Sequence, residues 1–258
     1  MERTAAQIPP LPLHFAQRQG RNDMRLDQAI AARYPEVSRR KARELLSAGH
    51  VLVNQRRVSI ASREVSATDH IAIVDKQTDV SVLVMRDDWL AVDKPAGMPT
   101  QPPRDRAHLS LEEILRAEHK RIWLVHRLDT PTSGVVIFAR SAVAAARLSR
   151  MFASRELRKI YLARVDPAIE SETTIETPID GKDATTIIRP GAGAMVEAEI
   201  RTGRTHQIRR HLSAAGHPVV GDRRYGSTVN ASRLMLHAWR IEHPDLGLIE
   251  APVPPDFR

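Results

Sequence analysis

The chain has 258 residues, 42% of them hydrophobic, with no cysteine and a formal charge of +8. That length and apolar content suit one large domain with a small companion, while the lack of cysteine excludes disulfides, thiolate nucleophiles and cysteine-ligated zinc, and suits a reducing compartment. No stretch approaches the roughly 18 apolar residues of a membrane span, and Pro9, Pro10 and Pro12 interrupt any signal-peptide core, so a cytoplasmic protein outside the membrane is expected.

The excess charge is concentrated in two segments. Residues 21–65 hold ten Lys/Arg against five Asp/Glu, and residues 201–224 hold six against one, leaving the rest of the chain slightly acidic. Such patches favour a polyanionic partner.

Taken in chain order, residues 1–20 show no sustained periodicity and read as an extended arm. Apolar residues at helical spacing predict a helix over 24–30, capped by Asp23, and a second over 38–46, ended by Gly49. Residues 51–58 read as strand, turn and strand, and 71–74 as another short strand. Arg39, Arg40, Lys41 and Arg43 cluster at the start of the second helix and form a basic surface able to track phosphates. The residues Arg25-Leu26-Asp27, Ser38-Arg39, Ala42, Gly49, Val51 and Val53-Asn54 resemble the alpha-L RNA-binding domain, the type first associated with small-subunit ribosomal protein S4. The resemblance implies a small α/β RNA-binding domain over 21–75, with the polar run 75–79 as linker.

Further along, 80–85 and 89–92 read as strands, 95–103 as a proline-rich loop, and 110–120 and 142–154 as helices, the first with Glu112 and Glu113 in its opening turn. Between these helices lies His126-Arg127-Leu128-Asp129-Thr130-Pro131-Thr132-Ser133-Gly134, followed by the apolar run Val135 to Ala139. An acid at the start of a strand is held rigidly, as a catalytic group must be. It equally suits a turn cap or a partner for Arg127. Tyr161, within Ile160-Tyr161-Leu162-Ala163, reads on its own as a strand residue packed in the core. His206 and His211 invite a metal site, and His206 with Ser133 and Asp129 a hydrolase triad. The chain nevertheless lacks His-Glu-x-x-His, Gly-x-Ser-x-Gly and an acidic ligand cluster, so neither is expected.

The run from His126 to Gly134 resembles the signature of the RluA-type pseudouridine synthases at every fixed position. The resemblance continues through Leu90 to Gly97, Arg158 to Ala163, Gly203 to Arg209, His217 to Gly226 and Leu234 to Ala238, nearly everything after residue 82. It implies an α+β fold, with a catalytic domain over 80–258 built on a mixed, largely antiparallel sheet and a central cleft. The implied activity is isomerisation of uridine to pseudouridine in structured RNA. For relatives with a prefixed RNA-binding domain the commonest target is large-subunit ribosomal RNA, with transfer RNA as the alternative. No cofactor and no metal are implied, and a monomer is expected.

By the same resemblance Asp129 is the essential carboxylate, Tyr161 stacks on the target base, and Arg209 is the cation paired with Asp129, with Arg204 the second candidate. Arg127 contacts phosphate or helps displace the nucleotide, and Ile208 and Leu236 form an apolar wall. Arg39, Arg40, Lys41 and Arg43 bind RNA elsewhere. Aromatic residues are only 4% of the chain, which argues against broad base-stacking platforms. Affinity is therefore expected to weaken with salt, by a log-log slope of roughly −0.7 per phosphate neutralised on a single strand. The segment between Ile179 and Glu199 is short and the chain stops soon after Phe257, so loops that select the RNA are expected to be trimmed. A non-catalytic RNA-binding or ribosome-assembly factor, and a glycosidase releasing uracil, are the competing readings.

Overall fold

In the computed structural model residues 24–47, 50–54, 56–73, 80–103, 110–119, 121–154 and 156–257 are described. The expected arm over 1–20, the helix boundaries Asp23, Gly49 and Lys120, and the linker 75–79 lie outside them. Near the N-terminus come β1 (Met24–Arg25), α1 (Leu26–Arg33), α2 (Arg39–Ser47), β2 (Val51–Val53), β3 (Arg56–Arg57), β4 (Glu64–Val65) and β5 (Ile71–Ile73). Met24 and Arg25 are not helical as expected. They pair with β4, and the first amides of α1 donate to loop carbonyls, Leu26 N–H to Arg63 O at 2.8 Å and Asp27 N–H to Ala61 O at 3.1 Å. Tertiary contacts thus satisfy helix donors that a side-chain cap would otherwise take. Leu26, Ile30, Ala42, Leu46, Val51, Val53, Val65 and Ile71 close a core of their own.

From Ser81 onward come β6 (Ser81–Met85), β7 (Trp89–Lys94), α3 (Leu111–Glu118), β8 (Trp123–Leu124), β9 (Ser133–Ala139), α4 (Ala142–Ala153), β10 (Arg158–Arg164), β11 (Thr173–Ile175), β12 (Thr186–Pro190), β13 (Met195–Ile200), α5 (Gln207–Ala214), β14 (Leu236–His243) and β15 (Gly247–Glu250). The main sheet runs β11-β12-β13-β10-β14-β9-β7-β6, with β8 added to β9 and β15 to β14. Among the described residues its pairings are antiparallel except β14 with β9. The expected mixed, largely antiparallel sheet is therefore present. The segment between Ile179 and Glu199 contains the hairpin of β12 and β13.

β9 shows why an apolar run becomes a central strand. Every residue of it is buried, and alternation sends its side chains into two cores. Val135, Ile137 and Ala139 meet Ala144 and Leu148 of α4, whereas Val136 and Phe138 meet Leu111 and Leu115 of α3. Burying each large aliphatic side chain contributes about 1.5–3 kcal/mol. α3 begins with a reciprocal capping box between Ser110 and Glu113, which uses two of the helix's unpaired amides.

The parallel junction between β9 and β14 is only two residues long, Ser133 beside His237 and Gly134 beside Ala238. Gly134 has φ +114°, and a Cβ there would fall 2.1 Å from the Ala238 carbonyl oxygen, so only glycine fits. One rung of the sheet consequently crosses five strands as Lys94, Gly134, Ala238, Tyr161 and Ala198. Small residues occupy its middle. Among the described residues no helix is long and apolar enough to cross a membrane.

Candidate active site

Asp129 lies in the turn before β9 rather than in the strand itself. Its carbonyl accepts the Thr132 amide at 3.0 Å. The neighbouring loop, from Lys94 to Thr100, clamps this turn. Lys94 Nζ donates to the carbonyls of Pro95, Met98 and Thr130 at 2.9, 2.7 and 3.2 Å. The Gly97 amide reaches the same Thr130 carbonyl at 2.8 Å, and the Thr100 hydroxyl bonds both the carbonyl and the amide of Leu128. Lys94 is completely buried, and burial pushes its ammonium down to about 7 against the opposing pull of the Asp129 and Asp93 charges. Three carbonyl acceptors match the three donors of the ammonium form.

His126 anchors the other end of the motif. Its Nε2 accepts the Ile137 amide at 2.9 Å and its ring stacks on Phe152 with centroids 4.1 Å apart. Burial, with Lys159 nearby, lowers its pKa to about 3, so the ring stays neutral and able to accept.

The expected site residues converge. Arg127, Asp129, Tyr161, Arg204, Ile208, Arg209 and Leu236 all line one open cleft with about 470 Å³ of atom-free space, at the middle of the sheet. Asp129 keeps 21% of its side-chain surface exposed, so a ligand in the cleft can reach it. Among the described residues its ion pairs are with Arg209, Nη1 to Oδ2 at 3.3 Å, and His206, Nε2 to Oδ1 at 3.6 Å, not with Arg127. Arg204, though it lines the same cleft, gives its Nε to the Asp183 carbonyl at 2.9 Å instead of pairing with Asp129.

Arg209 does not grip Asp129 with two donors. Asp222, which sequence reasoning passed over within the His217 to Gly226 segment, takes that grip and holds the guanidinium charged despite burial. Tyr161 faces the cleft beside Ala238, and burial together with the Asp129 charge raises its phenol well above the usual range. It stays protonated, with a ring face and an O–H donor to offer.

Gln207 explains the loop that carries these groups. Its Oε1 accepts from the Thr202 hydroxyl at 2.7 Å and the Arg204 amide at 3.1 Å, and its Nε2 donates to the Thr185 carbonyl and the Thr186 hydroxyl. Arg209 is thereby set in the first turn of α5, facing inward. His211 spends its two nitrogens on the Thr186 hydroxyl and the Thr177 carbonyl, and Ser133 bonds His237 and Arg233. Neither joins His206 in a metal site or a triad.

The basic residues of α2 are organised separately. Asp27 is fully buried beneath Arg25, Arg39 and Arg43 at 3.2, 3.6 and 2.9 Å. Burial pushes this carboxyl up, but the Arg43 and Arg25 guanidiniums outweigh it and hold it below the usual carboxylate range. Arg40 and Lys41 are more exposed and flank Glu44.

Comparison with known proteins gives the following. The sequence profile of the RNA pseudouridylate synthase family matches residues 88–214, and that of the S4 domain matches residues 24–71. Ribosomal large subunit pseudouridine synthase D of Nitrosomonas europaea is 30% identical over an alignment of 284 positions that covers 91% of this chain and 82% of that protein. An uncharacterized RNA pseudouridine synthase of Helicobacter pylori is 32% identical, covering 80% of this chain and 88% of its own length. Among solved structures, human RNA pseudouridylate synthase domain containing 1 superposes with a TM-score of 0.59 at 31% identity, over 70% of this chain and 85% of that one.

Proposed function

Since the chain belongs to the RNA pseudouridine synthase family, we propose that Asp129 is the carboxylate that carries out its uridine isomerisation, and that the substrate is large-subunit ribosomal RNA. The reaction breaks the bond from ribose C1′ to uracil N1, turns the base and joins C5 to C1′, so N1 gains a hydrogen and C5 loses one. It is redox-neutral. What it requires is a carboxylate beside the sugar, a surface that retains the detached base, and a cation paired with the carboxylate.

The single observation that carries this reading is the meeting of Asp129, Tyr161 and Arg209 at one cleft. Tyr161 packs one face of the uracil, Ile208 and Leu236 form the wall that keeps it in place, and Arg209 faces the carboxylate. Arg127, exposed on the rim, takes a phosphate or fills the gap left by the everted nucleotide. Everting it costs a few kcal/mol, offset by contacts along the basic segments. Residues 21–75 form the RNA-binding unit, with Arg39, Arg40, Lys41 and Arg43 on phosphates, and residues 80–258 the catalytic unit. The enzyme works as a cytoplasmic monomer without metal or cofactor.

The ribosomal target is favoured because the relative from Nitrosomonas europaea, whose match covers 91% of this chain, is named a ribosomal large subunit pseudouridine synthase. The test is Asp129→Asn. Pseudouridine formation is expected to vanish while RNA affinity is retained, and activity equal to wild type removes the mechanism. Release of free uracil by the wild type would instead identify a glycosidase. Mapping pseudouridine in RNA from cells with and without the gene identifies the target, and a site confined to transfer RNA overturns the ribosomal assignment.

A further inference from the structure

Asp129 belongs to a closed ring of four side chains. Arg209 approaches Oδ2 at 3.3 Å and His206 Nε2 approaches Oδ1 at 3.6 Å. His206 Nδ1 lies 2.8 Å from the Tyr225 hydroxyl, with the two rings edge to face at 5.6 Å. Arg209 closes the ring by standing over the Tyr225 face at 4.9 Å.

His206 occupies an unusual place in the chain. Its φ of 56° is left-handed, at the position that caps α5, yet it makes no side-chain capping bond. For a non-glycine residue that conformation is strained and persists only where neighbours impose it. Here they do: the bonds of Gln207 to Thr202, Arg204, Thr185 and Thr186 hold one side, and the Arg210 amide bonds the His206 carbonyl at 2.9 Å. The strain turns the imidazole away from its own helix and into the cleft.

A neutral imidazole has one donor nitrogen and one acceptor. A carboxylate accepts only, so the nitrogen facing Asp129 carries the hydrogen and the other accepts from the Tyr225 hydroxyl. The charged and titratable groups facing the ring are Asp129, Asp222, Arg209, Arg224 and Tyr225. Burial holds the imidazole below its ordinary pKa, with the Asp129 charge pulling the other way and Arg209 adding to the depression.

We propose that His206, fixed in its Nε2–H tautomer by the Tyr225 hydroxyl, is a positioning residue that keeps the Asp129 carboxylate in one orientation toward the target uridine. This rests on the pseudouridine synthase reading of the cleft. At 3.6 Å the contact is longer than a hydrogen bond. Catalytic contacts are commonly long before substrate binds and tighten in the complex.

The full-length chain is tested on an unmodified large-subunit ribosomal RNA transcript. His206→Asn tolerates the left-handed backbone but cannot reach Asp129, His206→Gln restores an N–H at similar reach, and Tyr225→Phe removes only the hydroxyl. The Asn variant is expected to slow single-turnover pseudouridine formation about tenfold to a hundredfold, with RNA affinity within about threefold of wild type. The Gln variant recovers most of the rate, and the Phe variant falls between. A wild-type rate in the Asn variant overturns the proposal. So does a loss in the Gln variant as deep as in the Asn variant, accompanied by the same drop in melting temperature. Nitrogen-15 spectra of the histidines give an arm independent of turnover: Nε2 of His206 protonated in the wild type, a mixture of tautomers in Tyr225→Phe. An Nδ1–H tautomer in the wild type sinks the idea. A wild type inactive on every RNA would instead refute the catalytic reading, while these spectra still decide the tautomer.

Discussion

Asp222 holds the Arg209 guanidinium by two parallel bonds, from Nε to Oδ2 at 2.6 Å and from Nη2 to Oδ1 at 2.8 Å. Both groups are buried, and the grip leaves Nη1 as the one nitrogen free to meet Asp129. A bidentate pair fixes the guanidinium plane as well as its charge. Asp222 therefore aims the cation that faces Asp129 without itself lining the cleft.

Replacing Asp222 with alanine leaves a buried guanidinium whose remaining carboxylate contact is the longer one to Asp129. We expect a stability loss of about 3–5 kcal/mol, together with a fall in turnover disproportionate to any change in RNA affinity. Urea denaturation and single-turnover assays measure the two effects. Unchanged stability would contradict the arrangement.

Acid sensitivity follows from His126. In the unfolded chain this histidine protonates near the ordinary value of about 6.5, whereas in the folded protein it resists until about pH 3. The unfolded state thus binds more protons between these limits, and the stability contributed by the neutral ring is complete above about 6.5 and is lost as pH falls toward 3. The slope from this group is no steeper than about 1.4 kcal/mol per pH unit. His126→Gln is expected to flatten the curve of unfolding free energy against pH between 6 and 4, roughly the middle of that window. Parallel curves for variant and wild type would exclude His126 as the source.

At Gly134 the backbone of β9 meets that of β14 so closely that no side chain fits. Gly134→Ala is expected to cost more than about 3 kcal/mol or prevent folding. Gly97→Ala is the control, because that residue shares a positive φ of 83° but has nothing within 4 Å of an added Cβ. It should cost only about 1–2 kcal/mol. Comparable melting temperatures for the two variants would show that conformation, not the approach of the strands, governs Gly134.

On α2, Arg40 is 92% exposed and Arg43 bonds the buried Asp27 at 2.9 Å. Arg40→Ala is predicted to reduce the salt slope of RNA binding by about 0.7 if it meets a single-stranded phosphate, with little change in stability. Arg43→Ala should lower both affinity and stability, since it strips one partner from a buried carboxylate. Salt titrations of binding and thermal melts separate the two, and equal effects in both assays would refute the division of labour.

What could be read from the sequence was the chemistry carried by adjacent residues. The apolar run of β9, the acidic opening turn of α3 and the basic start of α2 show themselves because strand alternation, the helix dipole and charge clustering act over a few positions. The motif around Asp129 was equally visible, and with it Tyr161 and Arg209. The start of α1 was misread, because its first amides are satisfied by Arg63 and Ala61, over thirty residues away in a loop that no local pattern reveals.

By itself the sequence determined several of the elements, which residue types can do the work, and where positive charge gathers, since these depend on neighbours along the chain. Only the tertiary structure decided that Asp222 and not Asp129 takes the bidentate pair of hydrogen bonds from Arg209, that His206 turns toward the carboxylate, and that Lys94 clamps the turn carrying it. Those relationships join residues far apart in the chain through distances of a few ångströms. Side-chain reach, packing and competition for a limited number of donors choose between partners that residue types alone leave equivalent.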